Sequence, residues 1–154
     1  MISKVCKQIK ARCVVFHEEQ IEDYTPIINS DFLPAIENDD WRKPKHSVED
    51  IKNILSQNPK FKFTFDFAHA ITVSPLDVPI YINAFKDKLI EVHFSMVNKE
   101  IGKHDFLYKY DNEEIRKLIQ YLKNVSVPFI LEGVISSPEE IELIKREMEY
   151  IKLI

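Results

Sequence analysis

Apolar residues gather in five short runs along the chain, and each run closes on a carboxylate or a histidine. The runs span residues 13–17, 33–37, 61–66, 89–93 and 129–132, closing on His17, Glu37, Asp66, His93 and Glu132. They are rich in Val, Ile and Phe and nearly continuous in apolar character. Strands buried on both faces of a parallel sheet read this way. Successive closing residues stand 20, 29, 27 and 39 positions apart. Parallel strands need crossovers of that length, and the crossovers are usually helical.

Helix caps fall between the runs. Ser47-Val48-Glu49-Asp50 precedes Ile51, Ile54 and Leu55 at helical spacing. Asp111-Asn112-Glu113-Glu114 is a capping-box pattern ahead of Ile115, Leu118, Ile119 and Leu122. Ser137-Pro138-Glu139-Glu140 puts proline at the first helical position, followed by Ile141, Ile144 and Met148. Segments 3–11 and 76–87 carry a fainter helical signal. The pattern predicts an α/β chain: one helix, then about five parallel βα units. No low-complexity linker interrupts it, so residues 1–154 form one domain. A closed (β/α)₈ barrel needs eight strands and about 250 residues. The expectation is therefore an open sheet or part of a barrel, starting midway through a repeat.

Composition narrows the partners. A net charge of −4 argues against nucleic acid as a bulk electrostatic partner. The two cysteines, Cys6 and Cys13, match no zinc or redox motif and read as reduced core thiols. Gly102 and Gly133 are the only glycines, which excludes a glycine-rich phosphate loop. No apolar stretch approaches the ~18 residues of a membrane span and no secretory pattern opens the chain, so the expected location is the cytoplasm, with no membrane partner.

In α/β proteins, ligands collect at the carboxyl ends of the strands. His17, Glu37, Asp66, His93 and Glu132 are thus expected to converge. Converging carboxylates and imidazoles describe a divalent metal site.

Four segments carry a family resemblance: Pro34-Ala35-Ile36-Glu37-Asn38, Phe65-Asp66-Phe67-Ala68-His69-Ala70, Val92-His93-Phe94-Ser95 and Leu131-Glu132-Gly133. Their order, Glu, Asp-x-x-His, His, Glu on successive strand ends, resembles the xylose-isomerase-like TIM barrels. That superfamily includes sugar isomerases and epimerases and the endonuclease IV group. The resemblance implies a partial (β/α)₈ barrel, strands 4–8 of the family fold, N-terminally truncated. It places the metal quartet on Glu37, Asp66, His93 and Glu132, with Glu37 and Glu132 also the acid/base pair. His69 resembles a substrate-contacting or further metal-binding histidine. His17 resembles a second-metal histidine of the endonuclease branch. His104 resembles the histidine of that branch's Asp-x-His pair, with Gly102 at the aspartate position.

The implied activity is a divalent-metal-dependent sugar or sugar-phosphate isomerase/epimerase. Mn, Mg or Co suits the oxygen-rich ligand set, and Zn would suit more imidazole. Two alternatives stand beside it: a metal-dependent phosphodiesterase acting on damaged DNA, and a non-catalytic truncated or split barrel. Among other residues, His46 reads as a surface histidine and Trp41 as a packed loop anchor. Lys99, Lys103 and Lys109 belong either to a phosphate-holding or to a solvated loop, and the acids of 139–152 read as a wet helix face. A partial barrel has sheet edges, and exposed edges invite pairing. Val14 and Phe16 are expected to lie open at the first edge. The expected partner is a second copy joined through residues 13–17, or a separately encoded N-terminal half-barrel.

Overall fold

The computed structural model describes residues 2–42 and 47–153; His46 lies outside them. The chain runs α1 (Ile2–Ile9), β1 (Val14–Phe16), α2 (Thr25–Ile28), β2 (Pro34–Glu37), α3 (Val48–Gln57) and β3 (Lys62–Asp66). Then follow α4 (Phe67–Val73), α5 (Asp77–Phe85), β4 (Leu89–Phe94), β5 (Met96–Asn98), β6 (Lys103–Asp105), α6 (Glu113–Ile119), β7 (Phe129–Leu131) and α7 (Ile141–Leu153). Ser47 and Asp50 close a reciprocal capping box at the start of α3. The α6 cap is one residue later than the sequence pattern suggests. Asn112 accepts the Ile115 N–H at 3.0 Å, while Asp111 takes the Arg116 guanidinium and the Tyr150 hydroxyl.

Five strands pair in parallel in the order β1-β2-β3-β4-β7. The sheet curls into a half-barrel. The Cys13 thiol, just before β1, lies 3.2 Å from Glu91 Oε2 on β4, although β2 and β3 stand between those strands. A flat sheet would hold them three strand spacings apart, about 14 Å.

Alternation divides the two faces. Ile36, Phe63, Phe65, Val92 and Phe94 point to the convex side and pack with Ile51, Leu55, Val78, Phe85 and Leu118 in the apolar core. Their partners in alternation, Thr64, Asp66, Glu91 and His93, face the concave side. Phe16 belongs to the apolar side. It stacks on Phe32 at 6.1 Å and meets Phe61 at 6.5 Å, so it is not open to water as the edge argument expects. The more exposed edge is β7, where Phe129 is 36% and Ile130 41% accessible. The phenylalanine pairs of the convex face hold β1 down, whereas β7 has fewer such partners. Glu147 on α7 corrects the wet-face reading of its helix. It is 1% exposed and accepts the backbone N–H groups of Leu107 and Tyr108 at 2.7 and 3.0 Å.

Candidate metal centre

Each strand end delivers one group. Parallel pairing sets Asp66 beside His93 in register, and Glu37 closes β2 next door. Glu132 follows β7 directly. One ligand atom from each of Glu37, Asp66, His93 and Glu132 lies within 4.8 Å of all the others. Atoms bound to a common cation at about 2.0–2.3 Å stand at most about 4.6 Å apart, so the cluster is close to coordination size. His93 Nδ1 sits 2.7 Å from Glu37 Oε1 and 3.2 Å from Glu132 Oε1.

Asp66 is fixed from two sides. Its Oδ1 caps α4 by accepting the His69 N–H at 2.7 Å. Asn38 holds its backbone: the side-chain amide donates to Asp66 O at 2.9 Å, and Asn38 Oδ1 accepts the Asp66 N–H at 2.8 Å. Asp66 Oδ2 is buried with no hydrogen-bond partner among the described residues. A buried orphan carboxylate oxygen is costly unless protonated or bound to a cation. Three carboxylates, one imidazole and that orphan oxygen fit a divalent cation.

The electrostatics carry the same strain. Burial, then the facing charges of Glu37 and Glu132, push the Asp66 carboxyl well above its usual range. Burial opposes charge on His93, but the Glu37 hydrogen bond and the surrounding carboxylates push its imidazole up to about 9. Burial would raise Glu37, yet the hydrogen bond and charge of His93, with His69 and His17 beyond, hold it below the usual value. Protons thus occupy a cluster whose geometry suits a dication.

The other three histidines among the described residues, His17, His69 and His104, form a row. His17 and His69 have ring centroids 5.9 Å apart, and His69 and His104 are 5.4 Å apart. His69 Nδ1 is 3.0 Å from the Asn38 carbonyl. A carbonyl only accepts, so Nδ1 carries the proton and Nε2 is left as an acceptor. Burial, only partly offset by Glu37, keeps His69 below the usual imidazole range. Nε2 lies 3.8 Å from Asp66 Oδ2, and Asp66, His69 and His104 form a second group of ligand size. His17 Nε2 lies 3.3 Å from Glu37 Oε2, and His17 also groups with Glu19 and Asp39.

No family model matches the chain, and no curated protein matches it. Solved structures do. A 3-keto-D-glucoside 4-epimerase from E. coli superposes with a TM-score of 0.58 at 14% identity, over 80% of this chain and 46% of the epimerase. A D-tagatose 3-epimerase-like protein gives a TM-score of 0.60 at 15% identity, over 98% of this chain and 67% of that one. The fold is a partial TIM barrel, shared with these structures. The chain spans less than half the length of the first of these neighbours.

In this partial barrel the β5–β6 hairpin brings His104 to the mouth. Ser95 Oγ and His104 Nδ1 are 2.7 Å apart, and His104 lies 3.5 Å from Glu132 Oε2. Gly102 makes the hairpin turn at φ 64°. Its carbonyl accepts Arg42 Nη1 at 2.9 Å, and Arg42 is also paired with the buried Asp40. The loop after β2 is thereby tied to the hairpin. Trp41 in that loop is 46% exposed and is no packed anchor. Lys99, Lys103 and Lys109 are exposed, and Lys109 pairs with Asp105. No helix among the described residues is long and apolar enough to cross a membrane.

Asn38, Arg42 and Glu91 take part in the site without having been singled out as site residues. Glu91 was the most legible, because a residue two positions before a strand-end ligand shares its face.

Proposed function

We propose that the chain is the metal-holding part of a sugar or sugar-phosphate isomerase/epimerase. The observation that carries this reading is the Glu37–Asp66–His93–Glu132 cluster at the carboxyl ends of the strands, in a fold shared with sugar epimerases. Asp66 and His93 would hold the ion together with the two glutamates. A divalent ion held there would supply Lewis-acid polarisation of a substrate carbonyl and so acidify the adjacent C–H.

Glu37 and Glu132 do the proton work. They come from β2 and from the end of β7, with β3 and β4 between, so they can flank a substrate lying over the centre. Glu37, held below its usual pKa, is the charged carboxylate suited to take a proton as general base. Glu132, more exposed, returns one from the other side. His69, with Nε2 free to accept, positions a substrate hydroxyl. The test is exchange of the C–H beside the carbonyl for deuterium in D₂O, across a panel of ketoses and ketose phosphates with added Mn²⁺. Glu37→Gln and Glu132→Gln should each remove nearly all exchange. Full turnover in both variants would overturn the two-carboxylate mechanism.

A second reading draws on the Asp66–His69–His104 group, which shares Asp66 with the first. Two adjacent cations suit phosphodiester cleavage. Metal stoichiometry separates the readings: one ion per chain for the isomerase, two or more for the phosphodiesterase.

A further inference from the structure

Beneath the four-residue cluster lies another inward-facing group that the proposed chemistry does not use. Glu91 is on β4 two residues before His93, so both point into the concavity. It is 7% exposed. Its Oε1 lies 3.3 Å from His93 Nε2, on the side of the ring away from Nδ1, which faces Glu37 and Glu132. Its Oε2 accepts the Cys13 thiol proton at 3.2 Å across the curl of the sheet.

A neutral imidazole carries one proton on one of two nitrogens, and the hydrogen bond made by the other nitrogen decides which. An ionised carboxylate only accepts. Placed at Nε2, it keeps the proton there and leaves the Nδ1 lone pair directed at the cluster. Metal-binding histidines commonly have such a carboxylate behind them. We propose that Glu91 is a positioning residue for His93, fixing the ring so that Nδ1 serves a metal ion, with the Cys13 thiol anchoring Glu91 across the concave face. The proposal rests on the reading of Glu37, Asp66, His93 and Glu132 as metal ligands.

Two readouts test it. The first is Co²⁺ affinity by competition with a chelating dye. Glu91→Ala should weaken binding about 10- to 100-fold. Glu91→Gln, which keeps a carbonyl acceptor, should stay within a few-fold of wild type, and Cys13→Ala should fall between. Glu91→Met keeps the volume without the acceptor and replaces Glu91→Ala if that variant does not fold. The second readout is the ¹⁵N shift of the neutral His93 ring in metal-free Glu37→Gln/Glu132→Gln protein, where the two carboxylates that face Nδ1 in wild type are gone. That protein should show the Nε2–H tautomer, and the same protein with Glu91→Met a mixture. Unchanged affinity together with an unchanged tautomer on Glu91→Met would overturn the proposal. So would a loss in Glu91→Gln as large as in Glu91→Met. If wild type takes up no Co²⁺, the metal reading fails, and the tautomer still decides whether Glu91 positions the ring.

Discussion

The side chain of Asn38 pairs with the backbone of Asp66 in both directions, donating to its carbonyl and accepting from its N–H. The pair mimics one more rung of the β2–β3 ladder just past where that ladder ends. It sets the height at which Asp66 presents its carboxylate.

Asn38→Ala leaves the buried Asp66 N–H without its acceptor and takes one donor from the Asp66 carbonyl, which as the N-cap carbonyl of α4 keeps its helical partner. An unsatisfied buried polar group costs about 1–3 kcal/mol, so we expect a loss of about that size in urea unfolding. Metal affinity should drop as well, because Asp66 loses its support. Unchanged stability and affinity would mean that the Asn38 clamp is decorative.

Gly133 follows Glu132 and passes close beneath an aromatic ring. A Cβ at this position would lie 2.5 Å from Phe106 Cδ1, and Phe106 is 1% exposed. Gly133→Ala should destabilise by about 1–3 kcal/mol and displace Glu132. The double variant with Phe106→Leu should recover part of both stability and metal binding. A single variant as stable as wild type would contradict the close approach.

The site makes the metal-free chain pH-sensitive in a defined direction. The folded pKa of His93 is raised from 6.5 to about 9. Its contribution is therefore complete below about pH 6.5 and is lost as pH rises through about 9. Asp66, also raised, has the same sign, with its contribution complete below 3.8. Glu37, lowered from 4.5, has the opposite sign and loses its contribution as pH falls. Urea midpoints in EDTA should thus decline from about pH 6.5 to 9. A bound dication replaces these protons, so metal uptake should release protons and tighten over the same range. A midpoint that rises from pH 6.5 to 9 without metal would contradict this.

The strand ends were legible in the sequence because the chemistry there interrupts apolar runs. Glu37 and Asp66 close their strands, His93 lies one residue before the end of β4, and Glu132 follows β7. The β5–β6 hairpin was not legible. Its strands are three residues long, too short to show alternation, and Gly102 was the only local signal. Helix α4 was hidden because no loop precedes it: Asp66 ends the strand and caps the helix at once. Glu147 looked like a surface acid because its partners, the Leu107 and Tyr108 amides, are set by packing of α7 and not by local sequence.

Strands β1 and β7 end the sheet with no further strand beside them among the described residues. Unpaired edges favour association. Sedimentation at several concentrations should show a homodimer or larger species, or a monomer that gains a partner half-barrel when one is supplied. Because β7 is the more exposed edge, Ile130→Lys should weaken self-association more than Val15→Lys. A compact monomer at all concentrations, with slow amide exchange in both edge strands, would contradict this.

Equilibrium dialysis of the chain against Mn²⁺, compared with Asp66→Asn, tests the central claim most directly. The asparagine keeps an oxygen to cap α4 but removes the charge at the buried orphan position. We predict about one ion per wild-type chain and at least a tenfold loss of affinity in Asp66→Asn, with the circular dichroism of the two unchanged. Equal uptake by both proteins, or none by folded wild type, would contradict a metal centre at Glu37, Asp66, His93 and Glu132.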